Sequence, residues 1–315
     1  MNRREFLKSG VAVSAGVLAR GLLPAQTAPA PVPATVPVQA PTLVTEVHPL
    51  RSNVGYFTGR GGTIGWLAAP DGLVAVDTQF PDTAAIFLKE LPGRNGRNLD
   101  AVINTHHHGD HTGGNGVFRP VTPTIVAQAN VPGLMLAAAK RAPNAPAPTL
   151  PDAIFPETWR RDFGHETVSA RYFRPAHTSG DIVVHFEQAN VVHTGDLMFN
   201  RIYPVIDRVA GGRFNGWITT LEELVKTYPA DAIYVFGHGN AKFGVTGGQA
   251  DMLAFRDYLT ALLDYVEGAI KAGKSKEEII KLENFPGFPD LHVPPGPGNR
   301  LAGNLGAAYD ELTLA

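Results

Sequence analysis

The sequence predicts an α/β (α+β) fold in which two sheets pack face to face between outer layers of helix. Three observations carry this. Apolar runs of strand length recur in both halves of the chain, among them "LDAVINT", "DIVVHFE" and "DAIYVFGHG". Helix-spaced segments such as "AAIFLKEL" (84–91) alternate with them, the pattern of strands covered by helices. The 315 residues, 44% hydrophobic and 18% charged, suffice for one large core or two modest ones.

The N-terminus comes first. Arg3 and Arg4, then Phe6, Leu7 and Lys8, precede an apolar run from Val11 to Leu23 that contains Arg20 and is too short to span a bilayer comfortably. This layout resembles a twin-arginine export signal, which implies residues 1–30 as a signal peptide cut near Ala28 or Ala30, recognition by the export machinery, and a periplasmic location. Proline recurs through "APAPVPATVPVQAP", so residues 31–41 read as an extended linker. The folded body runs from residue 42, near Leu43, to 315.

Within that body, "TIGWLAAPDGLVAVDTQF" reads as two strands joined at Pro70-Asp71-Gly72, a hairpin signal. A helix follows over 84–91, then a buried strand in "LDAVINT", a helix near 129–140, and the proline-rich loop "RAPNAPAPTLP". Strands return in "TVSARYF", "DIVVHFE", "NVVHTGD" and "DAIYVFGHG". A long amphipathic helix is expected from Gly248 to Lys271, and a shorter one opens on Ser275 with Glu278 three residues on, a capping box. Beyond Asn284 a Pro/Gly-rich segment is expected to wrap the surface up to a short helix near Ala307–Leu312.

Composition excludes several functions. A net charge of −2 lacks the basic excess of a nucleic-acid binder, which leaves a small-molecule substrate as the expectation. There is no cysteine, so disulfides, thiolate ligands and a cysteine nucleophile are all excluded. Any metal must be held by nitrogen and oxygen.

The segment "INTHHHGDHTGGN" (103–115) places four histidines and an aspartate within residues 106–111 at the end of a predicted strand. Alternate side chains of an extended segment point the same way, so His106 and His108 face one point and His107 faces elsewhere. Asp110 and His111 follow one turn on and can address a second metal. Other strand ends supply further ligand types beside glycine: His177 in "RPAHTSGD", Asp196 in "VVHTGDLMF" and His238 in "IYVFGHG".

On these residues the chain resembles the metallo-β-lactamase superfamily from about residue 43 to 271. The resemblance implies a four-layer αββα sandwich and a dinuclear site, usually two Zn²⁺, with iron or manganese as alternatives. His106, His108 and His177 would bind the first metal; Asp110, His111 and His238 the second; Asp196 would bridge them. Asp77, in "VAVDTQ", matches a family position behind the site and would orient a ligand. Two cations sharing a water lower its pKa and polarise a bound oxygen, which supports hydrolysis of an ester, lactone, thioester or amide-type bond. Asp110 is the candidate proton shuttle.

True β-lactamases of this superfamily carry Cys or Ser where this chain has Asp196, so a periplasmic β-lactamase stands second. An iron-dependent sulfur dioxygenase of the same fold stands third. Phe199, Arg201, Tyr203 and Trp217 are the pocket candidates, with Arg201 or Arg208 expected to meet a substrate carboxylate. Asn240 and Lys242 read as a solvated turn. His165, His185 and His193 read as structural, and His48 and His292 have no partner motif.

Overall fold

The computed structural model describes residues 43–292 and 298–314. The export-signal and linker expectations fall on residues outside these. The body opens with a meander: β1 (Glu46–Arg51), β2 (Val54–Thr58), β3 (Ile64–Ala69) and β4 (Gly72–Val76). The predicted hairpin at Pro70-Asp71-Gly72 is present, with Ala69 paired to Gly72. Helix α1 (Pro81–Glu90) starts on a proline, whose missing N–H costs nothing at a helix start. Then come β5 (Ala101–Ile103), the single turns α2 (Gly109–Thr112) and α3 (Asn115–Phe118), β6 (Ile125–Gln128), α4 (Val131–Arg141) and β7 (Ala153–Phe155).

The second half builds β8 (Thr158–Phe163), β9 (Glu166–Tyr172), β10 (Ile182–Phe186), β11 (Val191–His193), the short β12 (Phe199–Asn200), α5 (Phe214–Thr227), β13 (Ile233–Val235), β14 (His238–Gly239) and β15 (Thr246–Gly247). Helices α6 (Gln249–Lys271), α7 (Lys276–Ile279) and α8 (Arg300–Thr313) close it. One sheet has seven strands in the order β1 to β7; the other has six, in the order β15-β13-β11-β10-β9-β8.

Side-chain alternation makes the four layers. Val74 and Val76 of β4 face Ile182 and Val184 of β10 in the core between the sheets. Leu73 and Ala75 point the other way, against Phe87 and Leu88 of α1. On the far side Val183, Val192 and Tyr234 pack against Trp217, Leu221, Phe255, Leu262 and Leu305 of α5, α6 and α8. Strands buried on both faces read as continuous apolar runs, as they do here.

Two elements differ from expectation. Residues 214–227 form α5 although Gly216 and the β-branched Ile218, Thr219 and Thr220 have poor helix propensity; burial of Trp217, Leu221 and Leu224 on one face outweighs it. The last helix is longer than Ala307–Leu312. It begins after Asn299, whose side chain caps Ala302 N–H, and buries Leu301, Leu305 and Ala308.

Candidate metal centre

The functional side chains converge where the two sheets' strands end. β4 delivers Asp77, held in the left-handed region (φ +66°) by its turn. β5 leads into His106, and α2 turns the chain so that Asp110 and His111 face back. The β9–β10 loop brings His177, β11 brings Asp196, and β14 begins with His238.

Hydrogen bonds fix which nitrogen each imidazole presents. His177 Nδ1 donates to Val205 O at 2.8 Å, and His108 Nε2 donates to Asp207 Oδ2 at 3.0 Å. His106 Nδ1 meets Thr105 Oγ1 at 3.0 Å, a hydroxyl that itself donates to Asp77 Oδ2 at 2.7 Å. These tautomers leave His106 Nε2, His108 Nδ1 and His177 Nε2 as lone pairs. They lie 3.1 Å (His106 to His108) and 3.0 Å (His177 to His108) apart. Three lone pairs at that spacing repel one another unless a cation sits among them.

A second group lies alongside. His111 Nδ1 donates to Asp77 Oδ2 at 2.7 Å, so its Nε2 faces the centre. His238 Nε2 lies 3.1 Å from Asp110 Oδ2 and 3.3 Å from His111 Nε2. Asp196 stands between the groups. Its Oδ2 faces His106 (3.8 Å) and His177 (3.6 Å), while Oδ1 faces His111 (3.0 Å) and His238 (3.4 Å). Oδ1 is buried, yet none of these neighbours reaches it in hydrogen-bond geometry. A buried carboxylate oxygen left without a donor is costly, and a cation would satisfy it. The donor set, imidazole nitrogen and carboxylate oxygen, suits a divalent metal.

Charge follows the same division. Burial drives His106 well below the usual imidazole range and His177 to about 3, with neighbouring imidazoles adding to the effect. Both rings are neutral at pH 7. For His238 burial also opposes charge, but Asp196 and Asp110 outweigh it and lift the ring to about 9. His111 is raised likewise by Asp196, Asp77 and Asp110. Positive charge is therefore called for at the Nε2 of both rings, as a proton or as a metal ion. Asp110 feels a burial penalty that His111 and His238 outweigh, so it is held well below the usual carboxylate range.

Among the described residues, His106, His108, His177 and Asp196 form one candidate ligand group, Asp110, His111 and His238 another, and His107, His108 and Asp207 a third. His107 turns away from His106 and lies 3.7 Å from Asp207. Asp207 was missed in the sequence reading because it sits in an irregular loop with no strand end or glycine to mark it.

Glycines let the backbone close on the site. A Cβ at Gly62 would stand 2.1 Å from the His111 ring, and one at Gly237 would stand 2.0 Å from Asp196 Oδ1.

The structure corrects the pocket expectation for Trp217 and Tyr203. Trp217 is fully buried, its indole N–H donating to Leu197 O at 2.9 Å. Tyr203 is buried against Tyr258. Both belong to the core between the second sheet and its helices, where α5 and α6 claim aromatic area. Phe199 is buried too, stacked on His238 with ring centres 5.4 Å apart, and with Arg201 it lines a cavity of about 230 Å³. Arg201 pairs with Asp251 at 3.5 Å and Arg208 with Glu311. Arg300, unmarked in the sequence, is the cation that senses Asp196 and Asp110; half buried, it donates to Tyr203 O at 3.2 Å. His193 is structural, its Nε2 on Thr63 O at 3.1 Å. His165 pairs with Asp71 at the surface.

The sequence profile of the metallo-beta-lactamase superfamily matches residues 57–238, which span the whole ligand set. The chain belongs to the metallo-beta-lactamase superfamily. It is 31% identical to a hydroxyacylglutathione hydrolase of Methylococcus capsulatus, over 64% of this chain and 70% of that protein. It is 27% identical to a type 2 metallo-beta-lactamase of Bacillus cereus, over 60% and 72%. Among solved structures it resembles a stereoselective inverting sec-alkylsulfatase from Pseudomonas sp. (TM-score 0.67, 16% identity, 86% of this chain) and spans 50% of that chain's length. It also resembles a metallo-beta-lactamase from Pontibacter korlensis (TM-score 0.56, 19% identity, 69% of this chain and 99% of that one). At these identities the two structures speak to the fold, the αββα sandwich. Membership of the superfamily makes this chain a metallo-hydrolase.

Proposed function

We propose that the chain is an exported, periplasmic dinuclear zinc hydrolase that cleaves an ester, lactone, thioester or amide-type bond of a small molecule. In this reading His106, His108 and His177 hold one metal, Asp110, His111 and His238 the other, and Asp196 bridges them. The observation that carries it is the division of the Asp196 carboxylate, one oxygen toward His106 and His177 and the other toward His111 and His238. The relative named hydroxyacylglutathione hydrolase supports the ester and thioester side.

Two bound divalent cations would lower the pKa of water from about 15.7 toward neutrality and polarise the substrate oxygen. The chain's own residues do the rest. Asp77 orients His111 directly and His106 through Thr105, and Asp207 and Val205 O orient His108 and His177. Asp110 is 31% exposed against 4% for Asp196, so it is the ligand carboxylate that meets solvent and, being ionised, would have to take a proton from the attacking water before relaying it to the leaving group.

The test is metal analysis of protein purified without added metal, then initial rates against a lactone, a thioester, nitrocefin and bis-(p-nitrophenyl) phosphate. About two zinc ions per chain with turnover of the lactone or thioester is expected from seven such ligands. Turnover of nitrocefin alone would move the reading to a β-lactamase. One iron per chain, no hydrolysis, and oxygen uptake with a persulfide would replace it by the dioxygenase.

A further inference from the structure

β1 is the edge strand of the first sheet, and its register opposes Glu46 to Thr58 and His48 to Tyr56. Period two places these four side chains on one face. That face is the one turned toward the second sheet, since Tyr56 packs on the inter-sheet core while Val47 and Phe57 pack on the α1 side. The His48 and Tyr56 rings are stacked, centres 4.5 Å apart and planes within 14°. His48 Nε2 lies 3.1 Å from Glu46 Oε2.

These residues wall a cleft of about 500 Å³ that the ligand His238 and Asn240 also line. Among the described residues its lining contains one carboxylate, Glu46, and no lysine or arginine. Of the cations nearby, Arg60 is bound to Asp82 at 2.8 Å over the Phe80 ring, Lys242 lies over the Phe243 ring at 4.8 Å, and Arg300 is not among the lining residues. At its β1 end, away from the metal ligands, the cleft offers flat aromatic faces and the Glu46 carboxylate, which favour planar or cationic groups. The family profile begins at residue 57, after Glu46, His48 and Tyr56.

We propose that this cleft is the subsite for the part of the substrate remote from the scissile bond, and that it selects a planar group without negative charge. The ring lies against His48 and Tyr56, with Glu46 beside any positive substituent. This rests on the hydrolase reading for the identity of the reaction, but the recognition is a separate property of the cleft.

The experiment uses the metal-loaded chain and two aryl acetates of opposite charge, 4-(trimethylammonio)phenyl acetate and 4-carboxyphenyl acetate, with Glu46→Gln, His48→Leu and Tyr56→Leu. The two esters differ in intrinsic reactivity, so the quantity read is the KM ratio of each variant relative to wild type. Calorimetric titration with benzyltrimethylammonium measures binding without turnover. Glu46 is an exposed position, so Glu46→Gln remains informative even where Tyr56→Leu fails to fold. The expected result is a three- to fivefold loss of the preference for the cationic ester in Glu46→Gln, about the size of an exposed cation–π or ion-pair contact. Benzyltrimethylammonium binding should weaken similarly in Glu46→Gln and His48→Leu. Ester hydrolysis with an unchanged KM ratio and unchanged binding overturns the cleft proposal and leaves the hydrolase. Binding that weakens in the variants of a protein that hydrolyses no ester, lactone, thioester or amide overturns the hydrolase reading and leaves the cleft.

Discussion

Asp77 Oδ2 accepts the Nδ1–H of His111 at 2.7 Å and the hydroxyl of Thr105 at 2.7 Å, and that hydroxyl meets His106 Nδ1. One buried carboxylate therefore sets the tautomer of a histidine in each ligand group. Asp77→Asn tests this, because asparagine tolerates the left-handed backbone that position requires. Competition with a chromogenic chelator should show metal affinity about 10- to 100-fold weaker, with the far-UV circular dichroism unchanged. Unaltered affinity for both metals would mean that His111 is oriented without Asp77.

Gly237 makes a different demand. A methyl group there would stand 2.0 Å from Asp196 Oδ1, so Gly237→Ala must push the proposed bridging carboxylate out of place. Melting curves with and without EDTA should read it directly. Wild type at zinc 100-fold above Kd should gain about 2.7 kcal/mol of stability per occupied site that EDTA removes, whereas Gly237→Ala should gain far less. An equal EDTA effect in both proteins would show that Asp196 does not hold the metals.

Much of this site is legible because its groups occupy positions that pattern reading recognises. His106, Asp196 and His238 each follow a short apolar strand and lie within a few residues of a glycine, and the strands themselves declare their burial. Asp207 gives no such sign: it acts on His108 from an irregular loop, so its role exists only in three dimensions. Arg300 is silent for the same reason, being placed by packing of α8 rather than by any motif. Trp217 and Tyr203 mislead in the opposite way. Nearness in sequence to Asp196 suggests a pocket, but the amphipathic faces of α5 and α6 draw both rings into the core.

Helix α8 reaches back to the loop that steadies two histidines. Asn304 donates to Pro204 O at 2.8 Å, next to Val205, whose carbonyl holds His177. Glu311 accepts the N–H groups of Phe214 (3.0 Å) and Asn215 (3.2 Å) and pairs with Arg208. Arg213 provides no side-chain cap for α5, so Glu311 supplies it from another helix. Glu311→Ala should cost about 2 kcal/mol in urea unfolding, the upper range for a lost cap, and leave Arg208 without its partner. A cost below about 0.5 kcal/mol, the level of an ordinary surface substitution, would place the cap elsewhere.

Asp181 gives the molecule a stability slope in mild acid. Burial lifts its carboxyl to about 6, against the hydrogen bonds from Thr178 N–H (2.6 Å) and Thr178 Oγ1 (2.7 Å) that favour ionisation. The folded-state value lies above the ordinary 3.8 of the unfolded chain, so the native state binds this proton more tightly. Its contribution is fully present below about pH 4 and is lost as pH rises through 6. Asparagine does not titrate. The stability of wild type relative to Asp181→Asn should therefore fall between pH 4 and pH 7 by on the order of 3 kcal/mol, following from about two pH units at 1.36 kcal/mol each. Metal-free protein should be used for both, so that proton competition at the metal ligands cancels in the difference. Parallel stability curves across that range would show that Asp181 is already ionised in the folded state at pH 4, with the Thr178 hydrogen bonds outweighing burial.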